Sequence, residues 1–451
     1  MSAFITNSLY FIIAISVLVA IHEYGHYIVG RWCGMKVLRF SIGFGKPILT
    51  WTSRDRDRTE YCVSAVPLGG YVRFLDSREG DIAPEDEGRA FDQRPVSARI
   101  AVLLAGPVFN FLFAIAAYWV LFASGVPAML PTVGHVEADS YADVAGLEFG
   151  DRIVAVGDKD TADWETALIA ILDGVSGAGK VPLRVQKESG SQQTAVIDVG
   201  ENASQLTEPG MIFSGLGFEP WRPPAVVGEV IPGSAASSTD LATGDRIVNV
   251  AGIDVQSGRE LIAAVSARPG ETVSLDYYRG EQRRTTELTI GAALVDDETV
   301  GRIGVQLDSN PGSVFYNRKY GPLDSLTQAT QKTWDTMTFT LRMLGRMVTG
   351  DVSIKNISGP INIAQFAGDS AERGLNQFLT FLALVSISLG VLNLLPVPVL
   401  DGGQIVYQTV ELLKGSPMSE RSQIIGQQFG ILALFLLMSF AVYNDISRIL
   451  G

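Results

Sequence analysis

The chain is sparing with the residues that do most metal and redox chemistry: 451 residues contain three histidines and two cysteines. Basic residues are also scarce, 35 against 48 acidic ones, which argues against nucleic-acid binding because that function needs a basic face. The most telling absence is local. Residues 100–126, 378–400 and 424–443 hold no Asp, Glu, Lys, Arg or His at all. Each run is long enough to cross about 30 Å of hydrocarbon as a helix. A fourth apolar run, residues 4–21, continues through His22–His26 to Gly30. It lacks the basic start and small-residue cleavage site of a removable leader, so the expectation is a retained helix. Four spans with soluble regions between them predict a polytopic membrane protein.

The acidic excess has one address. Residues 126–375 carry 20 Lys and Arg against 33 Asp and Glu, and the remainder balances at 15 each. Orientation is read from the short loops, since long translocated segments escape the charge rule. No Lys or Arg precedes Tyr10, whereas Arg31, Lys36, Arg39, Lys46, Arg54, Arg56 and Arg58 follow the first span, and Arg94 and Arg99 lead into the second. Residues 34–96 are therefore expected on the cytoplasmic side, the long insert on the other, and both termini with the insert. Cys33 and Cys62 then face the reducing compartment as free thiols.

The insert repeats itself. Residues 133–156 and 227–250 align without gaps and share 12 of 24 positions, strongest in Gly150-Asp151-Arg152-Ile153-Val154 against Gly244-Asp245-Arg246-Ile247-Val248. A long period found twice predicts tandem domains rather than a solenoid. Each copy reads as strands and Gly-rich turns with one helix, near residues 164–172 and 259–265. Further on, Leu323, Leu326, Trp334, Met337, Leu341, Leu344 and Val348 recur at helical spacing among Lys332, Arg342 and Arg346. This predicts an amphipathic helix over 321–349, lying on the membrane surface or packed on the insert.

Two of the three histidines form His22-Glu23-Tyr24-Gly25-His26. On a helix, positions i and i+4 share a face, so both imidazoles can ligate one Zn2+ while Glu23 serves as general base. Catalytic zinc takes three protein ligands. His135 lies in the insert and reads as a surface histidine, so a carboxylate is wanted, and Asp401 supplies one just past the third span in Asn393-Leu-Leu-Pro396-Val-Pro398-Val-Leu-Asp401-Gly402-Gly403. The two prolines free backbone groups that lipid cannot satisfy, so this stretch should face protein or water. Spans one and three run in the same direction, which brings Asp401 level with the histidines.

Together, His22-Glu-x-x-His26 and Asn393-x-x-Pro-x-Pro-x-x-Asp401-Gly resemble the site-2 protease family of intramembrane zinc metalloproteases. The repeats resemble PDZ domains of bacterial envelope proteases, which narrows the likeness to the RseP-like (regulator of sigma-E protease) branch. The resemblance implies one Zn2+ per chain held by His22, His26 and Asp401, with Glu23 as catalytic base and Asn393 holding substrate. It implies a membrane re-entrant β-segment that binds substrate through Gly43, Phe44, Gly45, Gly69 and Gly70, matching the strand-like residues 37–42 and 61–74. Asn110, in Gly106-Pro107-Val-Phe-Asn110, also fits, or bridges helices. In the first repeat Gly215-Leu216-Gly217-Phe218 is similar to the PDZ carboxylate-binding loop, for peptide capture or as a remnant in a spacer.

The implied fold is a polytopic α-helical membrane protein with four transmembrane helices, a re-entrant β-segment and two inserted α/β PDZ domains. Its layout is span one at 1–33, a cytoplasmic and re-entrant region at 34–96, span two at 97–126, and PDZ domains at 127–220 and 221–310. A surface-helix region at 311–374, span three at 375–403, a cytoplasmic loop at 404–423 and span four at 424–445 follow. The implied partners are the lipid bilayer and single-span substrates, a trimmed anti-sigma factor or signal-peptide remnants, but no nucleic acid. The implied location is the inner membrane of a Gram-negative bacterium, with the active site near the cytoplasmic face and the PDZ domains periplasmic. Two other functions compete: a membrane PDZ scaffold with a non-catalytic zinc site, and a metal transporter. Glu23 argues against the first, and the absence of ionisable residues in the apolar runs 100–126 and 424–443 against the second.

Overall fold

The computed structural model describes residues 2–187, 189–295, 298–308 and 314–450. The chain divides into two units, residues 1–126 with 318–451, and residues 127–317.

In the first unit, helix α1 (Ser2–Trp32) leads into strands β1 (Val37–Thr52) and β2 (Glu60–Phe74), followed by helix α2 (Val96–Ser124). After the insert come α3 (Pro322–Thr349), α4 (Pro360–Glu372), α5 (Leu375–Asn393), α6 (Asp401–Lys414) and α7 (Glu420–Leu450). Among the described residues, α1, α2, α5 and α7 are the four helices long and apolar enough to cross a membrane. Helix α2 is central. Its Ala114, Ala117, Tyr118, Leu121 and Phe122 form one buried cluster with Ala329 of α3 and Ala383, Ile387 and Val391 of α5. Ala14 and Leu18 of α1 pack against Leu382 of α5. Small residues let these backbones approach, which is how helices associate where lipid removes the hydrophobic driving force. At Gly25 of α1 an added Cβ would lie 2.8 Å from the Ala105 carbonyl carbon of α2.

Three helical elements bear on the sequence expectation: one fits its bounds and two depart from it. Helix α2 begins one residue before the expected bound of 97 and includes Arg99, as that bound implied; the Arg99 side chain makes a two-pronged ion pair with Glu411 of α6 (3.0 and 2.6 Å). The third apolar run is helical only to Asn393; residues 394–400 then form tight turns, and residues 404–414 of the expected loop belong to α6. Pro396 and Pro398 supply the reason, since neither can donate to a helix ladder. The Pro398 carbonyl instead accepts from Gln404 Nε2 at 3.0 Å. Thirdly, α3 buries its small, polar face, Ser325, Ala329, Thr333 and Thr336. Leu323, Trp334 and Val348 point outward, while Met337 and Leu344 pack on the α2 cluster.

Helix α4 is tied to α7 by a buried carboxylate. Asp445 accepts from the backbone N–H groups of Gly359, Ile361 and Asn362 at 2.9–3.0 Å, so a side chain from another helix caps the α4 N-terminus. β1 and β2 pair antiparallel with repeated register breaks, and Phe40 is partnered by both Tyr61 and Val72. The first strand runs ten residues beyond the expected Ile42, through Lys46-Pro47. Gly43 and Gly45 have φ of +90° and +85°, conformations that glycine adopts without strain.

The second unit has two separate buried cores, one of residues 133–218 and one of residues 225–303. In the first, strands Lys159–Asp160, Arg152–Val156, Lys180–Gln186 and Gln192–Asp198 make one sheet, and Val133–Val136 pairs with Phe218–Pro220. In the second, Gln282–Thr289, Thr272–Arg279, Arg246–Val250, Ala225–Val230 and Val305–Leu307 are neighbours in that order. Helices Trp164–Ala178 and Gly258–Ser266 are capped by Asp163 and Ser257, respectively. The repeated motif has a structural job. Asp151 and Asp245 each accept the backbone N–H three residues upstream, at 2.9 and 2.8 Å. Ser140 and Ser234 each donate to a glycine carbonyl, Gly217 and Gly304.

Candidate metal centre

His22 and His26 lie one turn apart near the end of α1, both buried. Their Nε2 atoms stand 3.2 Å apart. Asp401 is the first residue of α6, and its Oδ2 lies 3.1 Å from His22 Nε2 and 3.4 Å from His26 Nε2. Three ligand atoms about 2.0–2.1 Å from a tetrahedral zinc stand roughly 3.3–3.4 Å from one another, so this triangle has the size that such an ion requires. Asp401 Oδ2 is buried without a hydrogen-bond partner, a costly state that a cation would relieve. His22, His26 and Asp401 are the group of metal-ligating side chains that converges among the described residues. They can hold one metal ion.

Two glycine features make the triangle possible. Gly106 of α2 faces the imidazoles, and a Cβ there would lie 2.7 Å from both His22 Cε1 and His26 Cε1. A Cβ at Gly403 would lie 2.5 Å from Pro398 Cα, and one at Gly402 would run into the Leu394 and Leu395 carbonyls. Asp401-Gly402-Gly403 is therefore the first turn of a helix pressed against the turns before it, rather than the plain turn its composition resembles. Helix α2 also holds the rings. His26 Nδ1 donates to the Val102 carbonyl at 2.7 Å, and Asn110 sits 3.1 Å from His22 Nδ1.

Glu23 lies beside the triad and against the hairpin. The Val72 backbone amide is directed at its carboxylate, and a Cβ on Gly70 would fall 3.1 Å from Glu23 Cγ. Gly70 thus lies against Glu23. Gly43, Phe44, Gly45 and Gly69 gather farther along the hairpin, where Phe44 stacks on Tyr71 and Gly69 leaves room for the Phe44 ring. Asn393 ends α5 with no hydrogen-bond partner for its amide among the described residues. His135 is exposed and bonded to Gln256 (3.2 Å), outside the metal-ligating group. Cys33 and Cys62 are unpaired thiols.

The expected carboxylate-binding loop takes another form. Gly215 and Leu216 close a short helix, Met211–Leu216, and Gly217 N donates to Phe213 O. Leu216 and Phe218 are core residues. The Gly217 N–H that would greet a chain end is already used, because Phe213 and Phe218 pack on Trp164 and pull the stretch inward.

A helical membrane scaffold with two imidazoles and a glutamate on one helix, met by a carboxylate that opens another, defines a membrane metallopeptidase. The chain belongs to peptidase family M50, whose model matches residues 10–437. It is an intramembrane zinc metalloprotease of the site-2 type. A protein of Neisseria meningitidis whose name describes a zinc metalloprotease is 41% identical over 98% of this chain and 99% of its own. The regulator of sigma-E protease RseP of Escherichia coli is 38% identical over the full length of both. Among solved structures, the PDZ domain of the SdrC-like protein of Listeria monocytogenes is 24% identical, with a TM-score of 0.18, covering 20% of this chain and 95% of that one.

Proposed function

We propose that His22, His26 and Asp401 hold the catalytic zinc, that Glu23 is the general base, and that the substrate is a single-span membrane protein cut within its transmembrane segment. The observation that carries this reading is the triangle of two Nε2 atoms and one buried carboxylate oxygen, with edges of 3.1–3.4 Å. Bound zinc supplies a Lewis acid for the scissile carbonyl and makes water acidic enough to attack near neutral pH. With zinc bound, the Glu23 carboxylate would be placed to accept a proton from the attacking water and to pass it to the departing amide nitrogen. A peptide bond inside a substrate helix is hydrogen-bonded and shielded, so the segment must first be drawn out. The hairpin offers the means. Phe44, Ile48, Leu49, Trp51 and Val66 are exposed, as suits a re-entrant segment in lipid, and a strand added beside Gly70 passes Glu23. Asn393, with its free amide, is proposed to grip the substrate backbone.

The name of the Escherichia coli relative supports a place in sigma-E signalling, with a trimmed anti-sigma factor as substrate; signal-peptide remnants are a further substrate class. The proposed setting is a Gram-negative inner membrane, the zinc near the cytoplasmic face and the insert periplasmic, from the basic residues that follow span one. The domain boundaries set out from the sequence are proposed with residues 401–414 as a helix, and the insert as a PDZ pair. Its role is proposed as a size filter on untrimmed substrates. The closed Gly215–Phe218 stretch weighs against peptide capture there.

The test combines metal analysis with proteolysis in membranes free of other proteases. Glu23→Gln should retain zinc and lose about 10²–10⁴-fold in cleavage. His22→Ala and Asp401→Ala should lose the zinc, whereas His135→Ala should keep it. Full zinc in Asp401→Ala, or normal turnover by Glu23→Gln, would overturn the assignment.

A further inference from the structure

We propose that Asn110 is a positioning residue for the metal centre: its side-chain Oδ1 accepts the Nδ1–H of His22 and so fixes the tautomer and ring orientation that leave Nε2 free for zinc. The inference rests on the reading above, in which His22 is a ligand.

The argument starts from the proton. A neutral imidazole carries one N–H, and the nitrogen that binds a metal must be the bare one. His22 Nε2 is the corner of the triangle, so the proton belongs on Nδ1, and whatever faces Nδ1 must accept. The group there is the carboxamide of Asn110, fully buried in α2 and 3.1 Å away. A carboxamide can present either end. With Nδ2 turned to the ring, two donors would meet once Nε2 is committed to a metal, and Oδ1 is left buried without a partner. Rotation of the amide by half a turn gives the ring the acceptor it needs, at no change of shape.

His26 shows the same provision made differently. Its Nδ1 faces the Val102 carbonyl at 2.7 Å, an acceptor that cannot flip. Both imidazoles are thus oriented by α2, one through the main chain and one through a side chain. The Asn110 backbone is itself held, since Ser386 Oγ of α5 donates to its carbonyl at 2.9 Å, both groups buried. The bland alternative is that Asn110 merely bridges helices through its N–H groups. The two roles require opposite ends of the same amide.

The experiment uses the full-length protein in detergent, stripped of metal, with zinc ion as the probe and a chromophoric chelator as competitor. Asn110→Leu keeps the shape and removes the acceptor, so the zinc dissociation constant should rise about 10–100-fold. Asn110→Asp keeps an acceptor and removes both donors, and should stay within a few-fold of the unaltered protein. If the leucine variant does not fold, Asn110→Ser replaces it with the same expected loss, because the shorter hydroxyl falls short of Nδ1. Unchanged affinity in the leucine or serine variant, or equal loss in leucine and aspartate variants, overturns the proposal. His22→Ala separates the two failures. Zinc retained there would remove the ligand set itself, while zinc lost there with Asn110→Leu unaffected removes only the role of Asn110.

Discussion

The zinc-sized triangle depends on residues that offer nothing chemically reactive. Gly106 is the sharpest case. Its hydrogen atom is all that separates α2 from the two imidazoles, and a methyl group would sit 2.7 Å from His22 Cε1. Backbone on one side and a helix-bound histidine on the other leave little room to relax, as expected of interiors packed like crystals. Gly106→Ala is therefore expected to push the rings apart and lower zinc occupancy at least about tenfold, while α-helix content by circular dichroism stays unchanged. Unaltered occupancy would mean that α1 can slide past α2 freely. His22, Glu23 and His26 declare themselves by spacing alone; Gly106 does not, because a glycine in an apolar helix has many other uses.

At the scale of elements, the centre is a meeting of α1, α2 and α6, and the joint between the last two is ionic. Arg99 and Glu411 are both largely buried and doubly hydrogen-bonded. Removing one partner strands the other, at a cost of about 3–5 kcal/mol, whereas replacing both with apolar residues of similar size is often nearly neutral. Glu411→Ala should lower the melting temperature in detergent and weaken zinc binding through Asp401, ten residues up the same helix. The double variant Arg99→Met, Glu411→Met should recover most of the stability; if it melts with the single variant, the pair is not what joins the helices. A similar pair lies in the insert. Burial opposes ionisation of Asp245, yet two hydrogen bonds from Arg279 (2.8 and 2.7 Å) and one from the Ala242 amide hold its carboxyl below the usual range. A carboxylate whose folded pKa is depressed stabilises the fold above its unfolded value of about 4, and that contribution disappears as pH falls through the lower folded value. Hydrogen exchange of the Arg246–Val250 strand should therefore quicken in that acid window, and should be faster already at neutral pH in Asp245→Asn. A strand equally protected in both proteins at every pH would show that the pair contributes nothing.

For the whole molecule, the insert's place in the chain decides what it can do. It follows span two and precedes span three, and the orientation proposed from the short basic loops puts it across the membrane from residues 34–96, away from the chemistry. A size filter then predicts that deleting residues 133–307 lets the enzyme cut substrates whose outer domain is intact, while trimmed ones are cut as before. A receptor predicts slower cleavage of trimmed substrates and no gain on intact ones. Gel-based cleavage of matched trimmed and untrimmed substrates separates the two, and resistance of untrimmed substrates to a folded, active deletion variant sinks the filter.

Composition and spacing determined by themselves that the chain has four apolar helices, a duplicated motif in an acidic insert, and a His-Glu-x-x-His turn. These are local facts, written in runs of uncharged residues and in a four-residue interval that any helix turns into one face. Tertiary structure decided the rest. It decided that Asp401 opens a helix rather than a loop, since only close packing shows why Gly402 and Gly403 lack side chains. It decided which group Arg99 meets, because its partner Glu411 is 312 residues away. It closed the Gly215–Phe218 stretch, because an aromatic cluster outweighs a local turn signal. And it placed Asn110 against His22, a contact between side chains 88 residues apart. Spacing along one chain carries no information about which buried donor meets which acceptor; that is decided only when separate helices come together.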